Sequence, residues 1–187
     1  MSLQSPVTVS VEEYLAADRE AEYKSEYYDG VVYGMSGASL PHNRVVANLI
    51  AAFAVRLRGG KCRVYPSDLR VSTPSRRRYF YPDVTVVCGA AQAADDRSDI
   101  LLNPTVVVEV LSDSTAAYDR GCKFLSYQTI PSLQEYLLVT QDEPRVECYR
   151  RQDQGWLYTQ VAGPEAAMHL DSLSFDLPLA EIYEELC

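Results

Sequence analysis

The sequence is short of lysine, of histidine and of closely spaced cysteine, and it has no long apolar run. Lysine occurs only at Lys24, Lys61 and Lys123, and histidine only at His42 and His169. Lys and Arg total 17 against 26 Asp and Glu, leaving a net charge of -9. That balance argues against a protein that coats nucleic acid by bulk charge, because such binding draws on many Lys/Arg contacts to phosphate. A phosphate ligand would need a local basic patch. The five cysteines, Cys62, Cys88, Cys122, Cys148 and Cys187, are widely spaced and never form CxxC. They read as reduced thiols rather than as a disulfide framework or a zinc site. No apolar stretch approaches the ~20 residues needed to cross a bilayer, and Met1 to Ser10 lacks a positive segment followed by an apolar one. These absences predict a cytoplasmic protein without membrane association.

What is present suits one globular domain. The chain has 187 residues, 47% of them hydrophobic and 10% aromatic, which excludes disorder, collagen and coiled coil. A chain of this length buries roughly 70% of its unfolded surface and needs neither a disulfide nor a metal to hold a core. Ser10 with Glu13 forms a capping box opening a helix that ends near Asp18. The alternating run from Ser25 to Met35, broken at Asp29-Gly30, predicts a hairpin. From about Pro41, Val46, Leu49, Ile50, Phe53 and Leu57 mark one apolar helical face, stopped by Gly59-Gly60. Strands are expected at about Cys62 to Ser72 and Tyr79 to Cys88, paired antiparallel across a turn at Thr73-Pro74-Ser75. Residues 89 to 103 read as a loop. Thr105 to Leu111 reads as a central strand, Thr115 to Thr129 as a helix closed by Pro131, and Gln134 to Thr140 as a strand parallel to the previous one. A hairpin across Asp153-Gln154-Gly155 (Arg145 to Gln152 and Trp156 to Ala162) and a terminal helix around Leu179 to Leu186 complete the chain. There are no repeats or linkers.

The strand from Thr105 to Leu111 is apolar except for Glu109, a carboxylate where water is scarce. Such a charge needs a cation, a metal or hydrogen-bond donors. Asp83, after Pro82 at the head of a largely apolar strand, poses the same demand. Two acidic groups on neighbouring strands repel unless something positive lies between them, and a divalent cation fits. Lys123 supplies the third element. Glu109 lies about 10 Å back from its strand end at roughly 3.3 Å per residue. Lys123 lies about 10 Å along the following helix at 1.5 Å per residue, so the two come level on the return.

Pro82-Asp83, Glu109-Val110-Leu111 and a displaced Lys123, in helix, strand, strand, strand, helix, strand order, resemble the PD-(D/E)XK nuclease superfamily. Within it the sequence looks most like the Uma family of bacterial restriction-endonuclease-like proteins. Supporting segments are Glu26-Tyr27-Tyr28-Asp29-Gly30, Met35-Ser36-Gly37-Ala38 with His42, Ser67-Asp68-Leu69-Arg70-Val71, and Glu109 through Asp119 and Lys123 to Glu135-Tyr136. The resemblance spans roughly residues 10 to 140. It departs from the superfamily pattern at Leu111, which stands where the ExK triplet has lysine; Lys123 is the migrated equivalent. The resemblance implies an α/β (α+β) restriction-endonuclease-like core, a mixed central sheet flanked by helices, with accessory N-terminal and C-terminal hairpins. It also implies cleavage of DNA phosphodiester bonds with Mg²⁺ (or Mn²⁺). Asp83 and Glu109 would be ligands, Glu26 an additional ligand or support, and Lys123 the catalytic base-orienting cation. His42 at a helix start and the basic run Arg76, Arg77 and Arg78 would meet phosphate. A homodimer would bring two sites to two strands.

Plainer readings stand beside these. Glu109 also suits a structural salt bridge, Asp83 a strand-end hydrogen bond, and Lys123 an exposed helical pair with Asp119 worth ~0.3 to 0.5 kcal/mol. Glu26 suits a solvated partner of Lys24 or Arg44, and Arg76 to Arg78 a solvated turn. The competing functions are a non-catalytic binding or assembly module that keeps the nuclease fold, and a metal-dependent hydrolase of a small phosphorylated substrate. Convergence of Asp83, Glu109 and Lys123 on one site separates both enzyme readings from the bland ones.

Overall fold

The computed structural model describes residues 8–185. Helix α1 (Val11–Glu20) starts as the capping box requires. The Glu13 N–H donates to Ser10 Oγ at 3.2 Å, and the Ser10 N–H donates to Glu13 Oε2 at 2.9 Å. Strands β1 (Ser25–Tyr28) and β2 (Val31–Gly34) form the expected hairpin. Asp29 and Gly30 turn it with φ of 47° and 100°, the left-handed pair that a tight two-residue turn demands. Helix α2 (Leu40–Leu57) is capped by Ser39 and buries Val45, Leu49, Ala52, Phe53 and Leu57; Val46 and Ile50 flank that face half-buried.

The two long strands expected next are each split. Strands β3 (Cys62–Pro66) and β4 (Arg70–Ser72) replace the first, and β5 (Arg78–Phe80) and β6 (Val84–Cys88) the second. Both breaks have a local cause. Pro66 ends β3, and Pro82 carries no N–H for a ladder, so the chain leaves one sheet and enters another at each point. A five-stranded sheet then has the order β2-β1-β5-β4-β7, where β7 is the short Ile100–Leu101 within the segment expected to be loop. A six-stranded sheet has the order β11-β10-β9-β8-β6-β3, with β8 (Val106–Leu111), β9 (Glu135–Thr140), β10 (Arg145–Arg151) and β11 (Trp156–Ala162). Strands β8 and β9 pair in parallel and β6 pairs antiparallel to both β3 and β8. The core thus runs α2, β3, β6, β8, a helical segment and β9, the mixed sheet flanked by helices that the resemblance implied.

Three features were not legible beforehand. The helix between β8 and β9 comprises α3 (Ala116–Tyr118), a π turn (Asp119–Lys123) and α4 (Phe124–Tyr127). A further hairpin, β12 (Ala167–Leu170) with β13 (Phe175–Pro178), precedes the short α5 (Leu179–Ile182); Leu186, in the expected terminal helix, lies outside the described residues. Cys62 and Cys88 form a disulfide, which corrects the expectation of reduced thiols throughout. The β3–β6 register sets these two residues directly opposite each other, and their separation of 26 residues in sequence conceals it. Cysteine spacing therefore no longer argues for a reducing compartment. Cys122 and Cys148 are free thiols, and Cys187 lies outside the described residues.

Strand β8 is covered on both faces, which explains its run of valines. Val106, Val108 and Val110 pack toward α2; Val107 and Leu111 pack toward Tyr127, Ile130 and Tyr136. By the same two-residue alternation Glu109 points to the second side, beneath the helix that carries Lys123. Among the described residues no helix is long and apolar enough to cross a membrane.

Buried Arg70 holds the five-stranded sheet to α1. Its Nε and Nη2 donate to Asp18 Oδ2 at 3.0 and 2.6 Å, and its Nη1 donates to Asp99 Oδ2 at 2.6 Å. The hydrogen bonds from Arg19, then the contact with Arg70, hold the Asp99 carboxyl down at about 2. A depressed carboxyl stabilises the fold above its unfolded value of about 3.9 and stops doing so as pH falls through the folded value. Asp99→Asn is therefore expected to cost about 1–2 kcal/mol at pH 7, allowing for partial exposure, and almost nothing near pH 2. Urea unfolding at both pH values measures this, and a cost independent of pH would show that the ion pairs are not its source.

Candidate active site

The π turn carries Lys123 over β8, and its ammonium ends among carboxylates from three separate elements. Nζ lies 2.9 Å from Glu26 Oε1 on β1, 3.1 Å from Glu109 Oε1 on β8 and 3.4 Å from Asp119 Oδ1 on its own turn. All four side chains are at most 7% exposed. Tyr127, one turn further along, donates its hydroxyl to Glu109 Oε1 at 2.9 Å, and the Tyr81 N–H donates to Glu26 Oε1 at 3.3 Å. Insertions of π geometry recur at functional sites, and this one turns both Asp119 and Lys123 inward while Arg120 stays exposed.

Asp83 closes the other side. Pro82 delivers it to the start of β6, one residue before Val84, which pairs with Val108 of β8. Its Oδ2 accepts the Val110 N–H at 2.7 Å, on the residue next to Glu109, and its Oδ1 lies 3.1 Å from His42 Nε2 on the first turn of α2. Glu109, Lys123 and Glu26 thus meet directly, and Asp83 is tied to the backbone of the strand that carries Glu109 and acts on its carboxyl through charge. His42 reaches Asp83 rather than open solvent. The arginine run lies further out. Arg77 and Arg78 both pair with Asp29 at 2.9 Å, which offsets part of their charge, and Arg76 sits in the turn with φ of 55°. Arg78 also donates to Ser126 Oγ at 3.2 Å, just beyond the Lys123 turn.

Sequence reasoning gave Asp119 no role beyond an exposed partner of Lys123. The i, i+4 spacing was the available signal, but nothing local shows that the whole turn is buried. In the fold Asp119 is 2% exposed, and among the described residues its Oδ1 has no hydrogen-bond partner closer than the Lys123 ammonium at 3.4 Å.

The electrostatics are those of a site with excess negative charge. Burial drives the Glu109 carboxyl well above the usual range; Lys123 opposes this, while Asp119, Asp83 and Glu26 add to it. Burial alone would lower Lys123, but Glu109, Glu26 and Asp119 outweigh it and hold the ammonium charged. Burial and Glu109 together raise the Tyr127 phenol well above its ordinary value, so it stays a donor. An all-oxygen donor set and a surplus of carboxylates over cations fit a hard divalent cation. Among the described residues no three His, Cys, Asp or Glu side chains form a ready coordination shell, so such an ion would keep several waters. A cleft of about 250 Å³ lies at the ends of β8 and β9, lined by Leu111, Asp113, Arg120, Thr140, Asp142 and Glu143 and by none of Glu26, Asp83, Glu109, Asp119 or Lys123.

Residues 11–180 match the model of a family, Uma2, described as "Putative restriction endonuclease". The chain is 38% identical over 155 residues to "Uncharacterized protein sll1609" of Synechocystis, covering 82% of this chain and 88% of that one. It is 36% identical over 179 residues to "Uncharacterized protein slr1290" of the same organism, covering 95% and 93%. Its fold resembles the crystal structure of "a putative nuclease belonging to DUF820" from Anabaena variabilis. The TM-score is 0.78 at 19% identity, over 97% of this chain and 100% of that one.

Among the described residues Lys123 is the only cation paired with Glu26, Glu109 or Asp119. Lys123→Met leaves their charge buried and uncompensated and is expected to cost about 3–5 kcal/mol. Glu109→Gln removes a carboxyl that burial already drives toward its neutral form and should cost far less. Denaturant unfolding of both variants at pH 7 compares them, and equal losses would contradict the charge assignment.

Proposed function

Because this chain belongs to the Uma2 family of restriction-endonuclease-like proteins, we propose that it is a metal-dependent endonuclease that hydrolyses DNA phosphodiester bonds. The observation that carries the reading is the Lys123 ammonium 3.1 Å from Glu109 Oε1, 14 residues away in sequence, with Asp83 bonded to the next residue of the same strand. A lysine and a carboxylate from separate elements thus meet in one buried cluster, which supports the reading. Asp83 and Glu109 would hold Mg²⁺ or Mn²⁺, with Glu26 supporting Lys123 and standing by as a further oxygen donor. A bound divalent ion of this kind lowers the pKa of a coordinated water and offsets charge on the phosphate.

The protein's own groups supply the rest. Lys123 is fixed by three carboxylates, so its positive charge is positioned before substrate arrives and needs no reorganisation to meet developing negative charge. Tyr127 and Lys123 share Glu109 Oε1, which orients the carboxyl. His42 orients Asp83 from the opposite side, a positioning role in place of direct phosphate contact. Arg77, whose side chain is 66% exposed, is open to the DNA backbone, as is the exposed Arg76. A homodimer would provide a second site for the second strand. The burial of the Lys123 cluster favours one alternative, a non-catalytic binding or assembly module that keeps the fold.

Supercoiled and linear DNA with Mg²⁺ or Mn²⁺ provides the test. Wild type is expected to cut, and Asp83→Ala, Glu109→Gln and Lys123→Ala are each expected to lose at least about a hundredfold in rate. Equal cleavage by all four proteins would place the activity in a contaminant, and tight DNA binding without cleavage would favour the module.

A further inference from the structure

The solvent side of the Lys123 cluster is aromatic. The β1–β2 register sets Glu26 directly opposite Tyr33, so the two side chains share one face of the ribbon. Glu26 turns in to Lys123, whereas Tyr33 is left 46% exposed at the margin of the site. Behind Tyr33 stands Tyr118, ring centroids 6.0 Å apart, and the Tyr118 ring lies 5.8 Å from the Lys123 ammonium. The Tyr118 hydroxyl is buried without a hydrogen-bond partner among the described residues. Two residues from Glu26 on β1, Tyr28 carries the Arg78 guanidinium over its ring at 4.4 Å. An open aromatic ring and a charged site therefore lie across one β1–β2 pair, and an arginine from β5 stacks on Tyr28 of the same hairpin.

We propose that Tyr33, backed by Tyr118, is a stacking platform for an unpaired base beside the Lys123 site, and that the substrate class is nucleic acid with a single-stranded segment at the cleavage point. This rests on the endonuclease reading and adds a substrate class to it. In an intact duplex the base faces are covered by their neighbours; only an unpaired or extruded base offers one to Tyr33. Stacking also answers the problem of net charge. With a chain at -9, affinity for a polyanion cannot come from bulk attraction, whereas base stacking is largely independent of charge.

Oligonucleotides carrying 2-aminopurine, whose fluorescence reports stacking, test this in Ca²⁺, where binding is read apart from cleavage. Wild type is expected to bind the single strand more tightly than the fully paired duplex and to change its fluorescence. Tyr33→Ala should weaken single-strand binding about tenfold to a hundredfold. Tyr33→Trp should retain binding, and the urea midpoints of both variants should match wild type. Unchanged binding by Tyr33→Ala, an equal loss on duplex, or no binding of the single strand by wild type overturns the proposal. The endonuclease reading is scored separately in Mg²⁺. Cleavage with no Tyr33 dependence of binding removes only the platform, and Tyr33-dependent binding without cleavage removes only the nuclease.

Discussion

One buried ammonium links the two larger sheets and the helical segment between β8 and β9. Lys123 meets Glu26 from the five-stranded sheet, Glu109 from the six-stranded sheet and Asp119 from its own turn. Taking four charged groups out of water costs several kcal/mol per ion, and a set of apolar side chains would fill the same space at less cost. Retaining the charges makes sense where the chemistry needs them. The cluster holds three carboxylates around one ammonium, and burial together with that crowding raises the Glu109 carboxyl.

The backbone around that cluster follows from two prolines. Pro66 and Pro82 end strands where the sequence otherwise continues in extended form, and at each the chain passes between sheets. The second break puts Asp83 at the mouth of β6, where its carboxylate takes the Val110 N–H instead of facing solvent. The proline of the Pro82-Asp83 pair is therefore as much a part of the site as the aspartate. Its missing N–H is what ends the ladder and frees the next residue to turn toward β8.

Much of the architecture was legible because its causes are local. The Ser10–Glu13 capping box, the Asp29-Gly30 turn, the α2 periodicity and the valine run of β8 each announce themselves within a few residues. Strand rise and helix rise also foresaw that Glu109 and Lys123 come level, and the two lie 3.1 Å apart. The misses share one physical reason. The burial of Asp119, the His42–Asp83 contact and the Cys62–Cys88 bond all depend on which segments lie across from each other. Partners tens of residues apart leave no local periodicity to read.

The sequence by itself determined the inventory: helices and strands in nuclease-like order, and two acids and a lysine spaced to meet. It did so because propensity, capping and alternation act over a single turn or strand. Only the tertiary structure decided what surrounds the lysine. Sheet register set Tyr33 beside Glu26, and the π turn brought Asp119 inward. Asp29 drew charge from Arg77 and Arg78, the basic run expected to meet phosphate. Those outcomes are contests between distant groups for one buried volume, and packing settles them only when the whole chain is in place.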